Sequence, residues 1–452
     1  MREYYGSIPR THRDLYDWID TNWFQVLLVG ATVVLTLATV FQFSRNPFYV
    51  NKDSALFQHA GWYIGQGADL YVDIWDLKPP LIYFVTTLLA FLSFGDMAVL
   101  HVMSVIVAVA TMIGGITLVG VITHRLTEDG FASVVAGMSM LVVPSTFMFP
   151  YAGIRPKYFA FLCGAAALLL AIDDRPLYSG AAAALSAGFW QLGGILAFLV
   201  VAMGYDRGGR RGMGRTIAGG LVVTVLTVLP FVLTGRAIPL FVEVVLGPIY
   251  GVISYTIPGR LLKAVIELGY GIVLVPIGVY GWAHATVEDY SKYWWLALGG
   301  GLYLFQVFLE FQGAIEIILL LMFLAIGVGV LVSEAATPSR QAVLACLIVL
   351  LVVSTLYWNQ GPVTPVRDAV EDEYEKWDIA NYDSLPPDPE GWPSMQTIYW
   401  EKLKPEYCHY RLGHKQKFLE QETGGTLLKE TCGQWPYDDP PLEWATGGLY
   451  PF

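Results

Sequence analysis

Residues 53–95 read DSALFQHAGWYIGQGADLYVDIWDLKPPLIYFVTTLLAFLSFG, and how this stretch is partitioned decides the topology of the chain. Its first part is polar and aromatic. Its second part, opened by Pro79-Pro80, is an apolar run of about fifteen residues from Leu81 to Phe94, short for a membrane crossing that takes about 20 residues. Counting that run as a span moves the chain's densest basic cluster, Arg207, Arg210, Arg211 and Arg215, to the outer side. Counting it as a re-entrant or surface helix keeps the cluster in the cytoplasm, where positive charge is favoured. The second partition is adopted.

Working outward, apolar runs long enough to cross a hydrocarbon core recur from Phe24 to Tyr357. The chain is 452 residues long, 55% hydrophobic and 14% charged, with mean hydropathy +0.51. That is far below the roughly one-quarter charge of soluble domains. Lipid offers no partner for backbone amides, so the spans must be helical. The expected fold is an all-α polytopic membrane protein of about eleven transmembrane helices, residues 1–358, followed by a small acidic domain, residues 359–452. The first 20 residues are polar and hold Arg2, Arg10 and Arg13, so the first apolar run is expected to be a retained helix. The N-terminus is expected in the cytoplasm and the C-terminal domain outside it.

The net charge is −11, and the stretch from Arg367 onward carries 17 acidic against 8 basic residues. An acidic tail of this kind argues against nucleic acid as a partner. Cys408 and Cys432 lie within it, and an extracytoplasmic tail would allow them either to pair or to stay free.

In this topology the segments 44–78, 149–157, 235–260 and 310–313 share the outer face. In the first, Asp53 precedes Leu56, Ala60, Tyr63 and Ile64 at helical spacing, so an interfacial amphipathic helix over Ser54–Gly65 with Asp53 as N-cap is expected. The run continues through Gly67, Asp69, Tyr71, Asp73 and Asp76 to Lys78-Pro79-Pro80-Leu81. An acidic residue after the first span, an amphipathic helix, Gly-x-x-x-Tyr-x-Asp and Lys-Pro-Pro-Leu resemble the GT-C membrane glycosyltransferases. The likeness is to the protein O-mannosyltransferase and aminoarabinose-transferase group and covers roughly the first 210 residues. With its acidic composition the chain is also similar to archaeal dolichyl-phosphate-mannose mannosyltransferases. The resemblance implies a dolichyl- or polyprenyl-phosphate sugar donor in the bilayer, a glycan or glycoprotein acceptor at the outer face, and inversion at the anomeric carbon.

The residue types carry the same chemistry. A sugar hydroxyl gains from a carboxylate base, and a phosphate leaving group from nearby cations. Asp53 is the candidate base. Arg155 and Lys157, directly before a span on the outer face, run against the positive-inside bias and are candidates for the donor phosphate together with Lys78. For all three, headgroup anchoring or snorkelling is the alternative. Asp73 and Asp76 read either as acceptor-binding groups or as loop residues. Glu310 and Gln312 read either as sugar-binding groups or as residues in headgroup water, and Glu316 as facing a helix bundle. Arg236 and Arg260 are weaker phosphate candidates, and His59 reads as a surface aromatic. Many relatives place a second acidic residue in the 149–157 loop, where this chain shows no obvious carboxylate. No metal and no other cofactor is therefore expected. The alternative function is a polyprenyl-lipid transporter or flippase.

Overall fold

The computed structural model describes residues 12–74, 76–246, 248, 257–309, 315–358 and 394–404. Among these the chain is helical, with one isolated β-bridge, Leu70 to Ile74, and no longer strand. The expectations for Glu310, Gln312, Arg260, Cys408 and Cys432 fall on side chains outside this set. So does most of the expected C-terminal domain.

The helices are α1 (His12–Thr21), α2 (Trp23–Arg45), α3 (Lys52–Gly65), α4 (Leu81–Leu92), α5 (Met97–Thr127), α6 (Gly130–Ser139), α7 (Pro144–Met148), α8 (Pro156–Ile172), α9 (Pro176–Phe189) and α10 (Gly194–Leu233). They continue as α11 (Ala237–Phe241), α12 (Ile257–Leu268), α13 (Leu274–Glu288), α14 (Tyr290–Leu309), α15 (Ile318–Ser333), α16 (Thr337–Trp358) and α17 (Met395–Glu401). Among the described residues four helices are long and apolar enough to cross a membrane, and a fifth crossing is available from the bent pair 130–142 and 144–152, which turns by 83°. One of the four, Gln191–Leu233, is 43 residues long but folds back at Gly209, whose φ of 56° breaks the helix. Its two halves touch closely there. A Cβ on Gly212 would lie 2.1 Å from the Gly204 carbonyl oxygen, so only glycine permits this approach.

Polar contacts knit the bundle at two opposite ends. At one, Asp20 accepts from the Gly130 and Phe131 amides at 2.7 and 3.1 Å, while Arg125 pairs with Asp173 at 3.4 Å and Arg207 with Asp174 at 3.1 Å. This is the arginine end. At the other, Asn51 N–H bonds the Ala152 carbonyl at 3.2 Å, Ser54 Oγ donates to the Ile154 carbonyl at 3.0 Å, and Arg236 pairs with Asp69 at 2.6 Å. This is the loop end.

Helix α3 differs from the expected interfacial helix in two ways. Its N-cap is Asn51, whose side chain accepts from the Asp53 amide at 3.0 Å, so the Asp53 carboxylate is not spent on capping. It is also packed inside: every residue from Ser54 to Gly61 is buried. His59, expected at the surface, is among them, and burial holds its imidazole down at about pKa 4. The packing depends on Gly61, where a Cβ would come within 2.4 Å of the Thr86 backbone. Helix α4 therefore lies directly on α3. With 12 residues it is about 18 Å long, too short for a core of about 30 Å. Both its ends stay at the loop end, Leu81 against Gly188 and Gly95 beside Trp62, while Phe84, Leu88, Phe91 and Phe94 are exposed. That agrees with a re-entrant or surface helix.

Helix α17 docks on the same unit. Tyr399 is fully buried, its hydroxyl 3.0 Å from the Gln58 side chain and against the Met97 carbonyl. A hydroxyl has one proton, so with Tyr399 donating to Met97 the Gln58 amide must present its NH₂ to the phenol oxygen. Tyr399→Phe leaves two buried groups unpaired, a loss of about 1–3 kcal/mol. The expected result is earlier proteolytic release of the segment after Trp358 at unchanged membrane insertion. Equal protection of variant and wild type would refute this docking.

Candidate active site

The site is built where three loop-end segments converge on the start of α3. The 149–157 segment is shaped by Gly153, at φ +106°, where a Cβ would strike Gln58 Nε2 at 2.7 Å and Ser104 Oγ at 3.0 Å. The next amide, Ile154, bonds Ser104 Oγ at 2.8 Å. Arg155 follows in extended conformation, and Pro156 opens α8 with a pre-set φ. The consequence is an arginine held inside the protein, 3% exposed, with its guanidinium 5.0 Å above the Phe149 ring. Its Nη1 is 4.0 Å from an Asp53 carboxylate oxygen, an electrostatic contact longer than a hydrogen bond. Nε and Nη1 are buried and have no hydrogen-bond partner among the described residues. Buried donors left unpaired cost about 1–3 kcal/mol each, more when charged. A site that retains them is set to receive an acceptor atom.

Two residues on, Lys157 places Nζ 3.1 Å from Glu316 and 5.6 Å over the Trp190 ring. It lies within electrostatic reach of Lys78, Arg155 and Asp53. Asp53, Arg155, Lys157 and Lys78 are thus brought together from three separate stretches. Glu316, next to α15, supplies the carboxylate that the 149–157 loop lacks, and it serves the lysine. Arg236 is engaged with Asp69.

The loop 66–80 closes one side. Asp73 Oδ2 accepts from the Asp69 amide at 2.7 Å, which holds the turn. Tyr71 sits at φ +68°, fully buried, and donates to the Lys78 carbonyl at 2.7 Å. Asp76 accepts from the Tyr83 hydroxyl.

Two residues that sequence reasoning passed over complete the wall. Gln191 donates to the carbonyls of Leu77 and Val244, the latter at 3.4 Å, tying the lysine-bearing loop to the turn after α11. Glu243, in that turn, is buried, and its carboxyl is pushed up to about 8 by burial and then by the charge of Asp76. The only signal for it was a lone acid in the apolar run Leu240–Leu246.

The sign of that shift gives a test. The folded chain keeps a proton on Glu243 that the unfolded chain releases above about 4.5, so stability falls as pH rises from about 4.5 to about 8. Glu243→Gln removes that dependence. Its Tm in detergent is expected to match wild type near pH 5 and exceed it near pH 8.5; an equal difference at both would refute the assignment.

Beside Lys78 an apolar groove of about 820 Å³ runs down between α9 and the second half of α10, with Pro79, Pro80, Gln191 and Leu240 at its upper end. Among the described residues the one group of three side chains within metal-ligand range is His284, Glu288 and Glu334. It sits at the arginine end, and each histidine nitrogen already faces a carboxylate, at 3.6 and 3.4 Å.

Comparison with known proteins points the same way. Residues 67–229 match a family model described as DolP-mannose mannosyltransferase. A dolichol phosphate-mannose mannosyltransferase of Haloferax volcanii is 28% identical over 420 residues, covering 85% of this chain and 91% of that protein. The resemblance read from residues 53–81 is borne out. The matched region includes Lys78, Arg155 and Lys157 but begins after Asp53.

Proposed function

We propose that this chain transfers mannose from dolichyl phosphate mannose to a glycan or glycoprotein at the outer membrane face. The observation that carries the residue assignment is the buried Arg155 guanidinium, with unpaired donors, 4.0 Å from Asp53. A phosphodiester is the ligand that such a guanidinium fits, because its planar donors match two phosphate oxygens at once. Lys157 and Lys78 add charge beside it. The groove below Pro79-Pro80 takes the polyprenyl chain.

In the reaction the acceptor hydroxyl attacks the anomeric carbon from the side opposite the phosphate. Asp53 takes the hydroxyl proton, the bond from carbon to phosphate oxygen breaks, and dolichyl phosphate leaves with its new negative charge facing Arg155, Lys157 and Lys78. One displacement inverts the anomeric centre. Asp76 and the protonated Glu243 offer an acceptor and a donor for hydroxyls of the incoming sugar, and Glu310 and Gln312 belong to the same acceptor face. Eleven crossings follow if α2, α5, the bent 130–152 pair, α8, α9, the two halves of α10, α12 with α13, α14, α15 and α16 each span. The N-terminus and arginine end then lie in the cytoplasm, and the site and C-terminal domain outside.

The test is transfer in detergent from synthetic dolichyl phosphate mannose to a dolichyl-linked glycan acceptor. Mannosylated product, without any sealed bilayer, is expected. Activity that appears only as lipid movement across sealed vesicles would support a flippase and overturn the proposal.

A further inference from the structure

At the arginine end, far from the transfer site, a second cavity of about 410 Å³ opens between the end of α8, the start of α9 and both halves of α10. Its wall includes Asp174, Ser179, Arg207, Arg211, Arg215 and Thr216. Three guanidinium groups therefore share one cavity with one carboxylate. Arg207 is fixed by the Ile172 carbonyl at 2.6 Å and by Asp174 at 3.1 Å. Arg211 and Arg215 form no hydrogen bond or ion pair among the described residues, and they stand one turn apart on α10, a spacing at which like charges repel. Glycines 204, 208 and 212 also line the cavity and leave its floor open to a ligand of some size. The first turn of α9 adds the partial positive charge of a helix N-terminus.

The cavity does not end at the charges. Val200 and Thr216 line both it and the apolar groove, so a basic pocket at the membrane surface leads directly into an apolar channel along the helices. Free phosphate or a nucleotide would satisfy the arginines and leave the apolar continuation unused. A molecule with a phosphate head and hydrocarbon chains uses both.

We propose that this pocket binds an acidic phospholipid of the leaflet at the arginine end, its phosphate between Arg207, Arg211 and Arg215 and a chain in the lower groove. The site is separate from the transfer site and does not rest on the transferase reading. It goes beyond the general bias of arginines toward the cytoplasmic surface, because it distinguishes Arg211, which lines the cavity, from its neighbour Arg210, which does not.

The experiment titrates purified full-length protein in dodecyl maltoside with fluorescent phosphatidylglycerol, competed by unlabelled phosphatidylglycerol, phosphatidylcholine or glycerol phosphate. Saturable binding is expected, displaced by phosphatidylglycerol but not by the other two. Arg211→Gln is expected to weaken it about tenfold and Arg210→Gln less than threefold; a tenfold loss for one guanidinium to phosphate matches a charged hydrogen bond. Equal losses for Arg210→Gln and Arg211→Gln would mean surface attraction alone and overturn the proposal. Displacement by glycerol phosphate as readily as by the lipid would mean a soluble phosphate ester and also overturn it. Arg215→Gln repeats the test where Arg211→Gln does not yield a monodisperse protein.

Discussion

Asp53→Asn is expected to lower mannose transfer by about 10²–10⁴-fold, the range for loss of a positioned general base, while the protein still inserts, docks α17 and elutes as wild type. The substitution keeps the shape and one acceptor oxygen. It removes the negative charge 4.0 Å from Arg155 and the capacity to take a proton. Asn51, not Asp53, caps α3, so the helix loses nothing by the exchange. Had Asp53 been the cap, loss of activity would have been confounded with fraying of the helix that carries the site. Radiolabel transfer in detergent measures the effect, and an Asn variant with more than a tenth of wild-type turnover would rule Asp53 out as the base.

Arg155→Gln carries the second large effect. Arg155 is buried at the mouth of α8, and its unpaired donors are the groups expected to bind the donor phosphate. Glutamine keeps hydrogen-bonding capacity without charge. Donor affinity is expected to fall about 100-fold, near the value for one or two charge-assisted hydrogen bonds of about 1.5–3 kcal/mol each. Arg155→Lys retains the charge but not the planar fork, and is expected to recover part of the loss and not all of it. Full recovery by lysine would reduce the residue to a point charge. No loss in either variant would leave the buried guanidinium without a role in the donor site.

The helical architecture and the grouping of charges could be read from sequence because each rests on a local rule. Apolar runs fix the helices, and the exclusion of arginine from outer loops made Arg155 and Lys157 conspicuous. The re-entrant reading of Leu81–Phe94 came from charge balance alone, and the short α4 with both ends at the loop end agrees with it. The misreadings came from tertiary packing. Helix α3 has polar residues at Ser54, Gln58 and His59 that suggest a wet face, yet all three are buried, because Ile154 and Tyr399 reach across to meet Ser54 and Gln58 and the Leu403 backbone bonds His59. Asp53 and Asn51 are both good caps, and their sequence spacing does not say which one the helix uses. Glu243 and Gln191 acquire a role only when the turn after α11 meets the 66–80 loop, a contact about 170 residues apart in sequence. No periodicity records such a contact.

The central claim is a division of labour, with Asp53 acting on the acceptor and Arg155 holding the donor. Equilibrium binding of dolichyl phosphate mannose to the two variants, without acceptor, tests it most directly. Asp53→Asn should bind the donor within about threefold of wild type, and Arg155→Gln about 100-fold more weakly. Donor binding lost in Asp53→Asn and kept in Arg155→Gln would contradict the account.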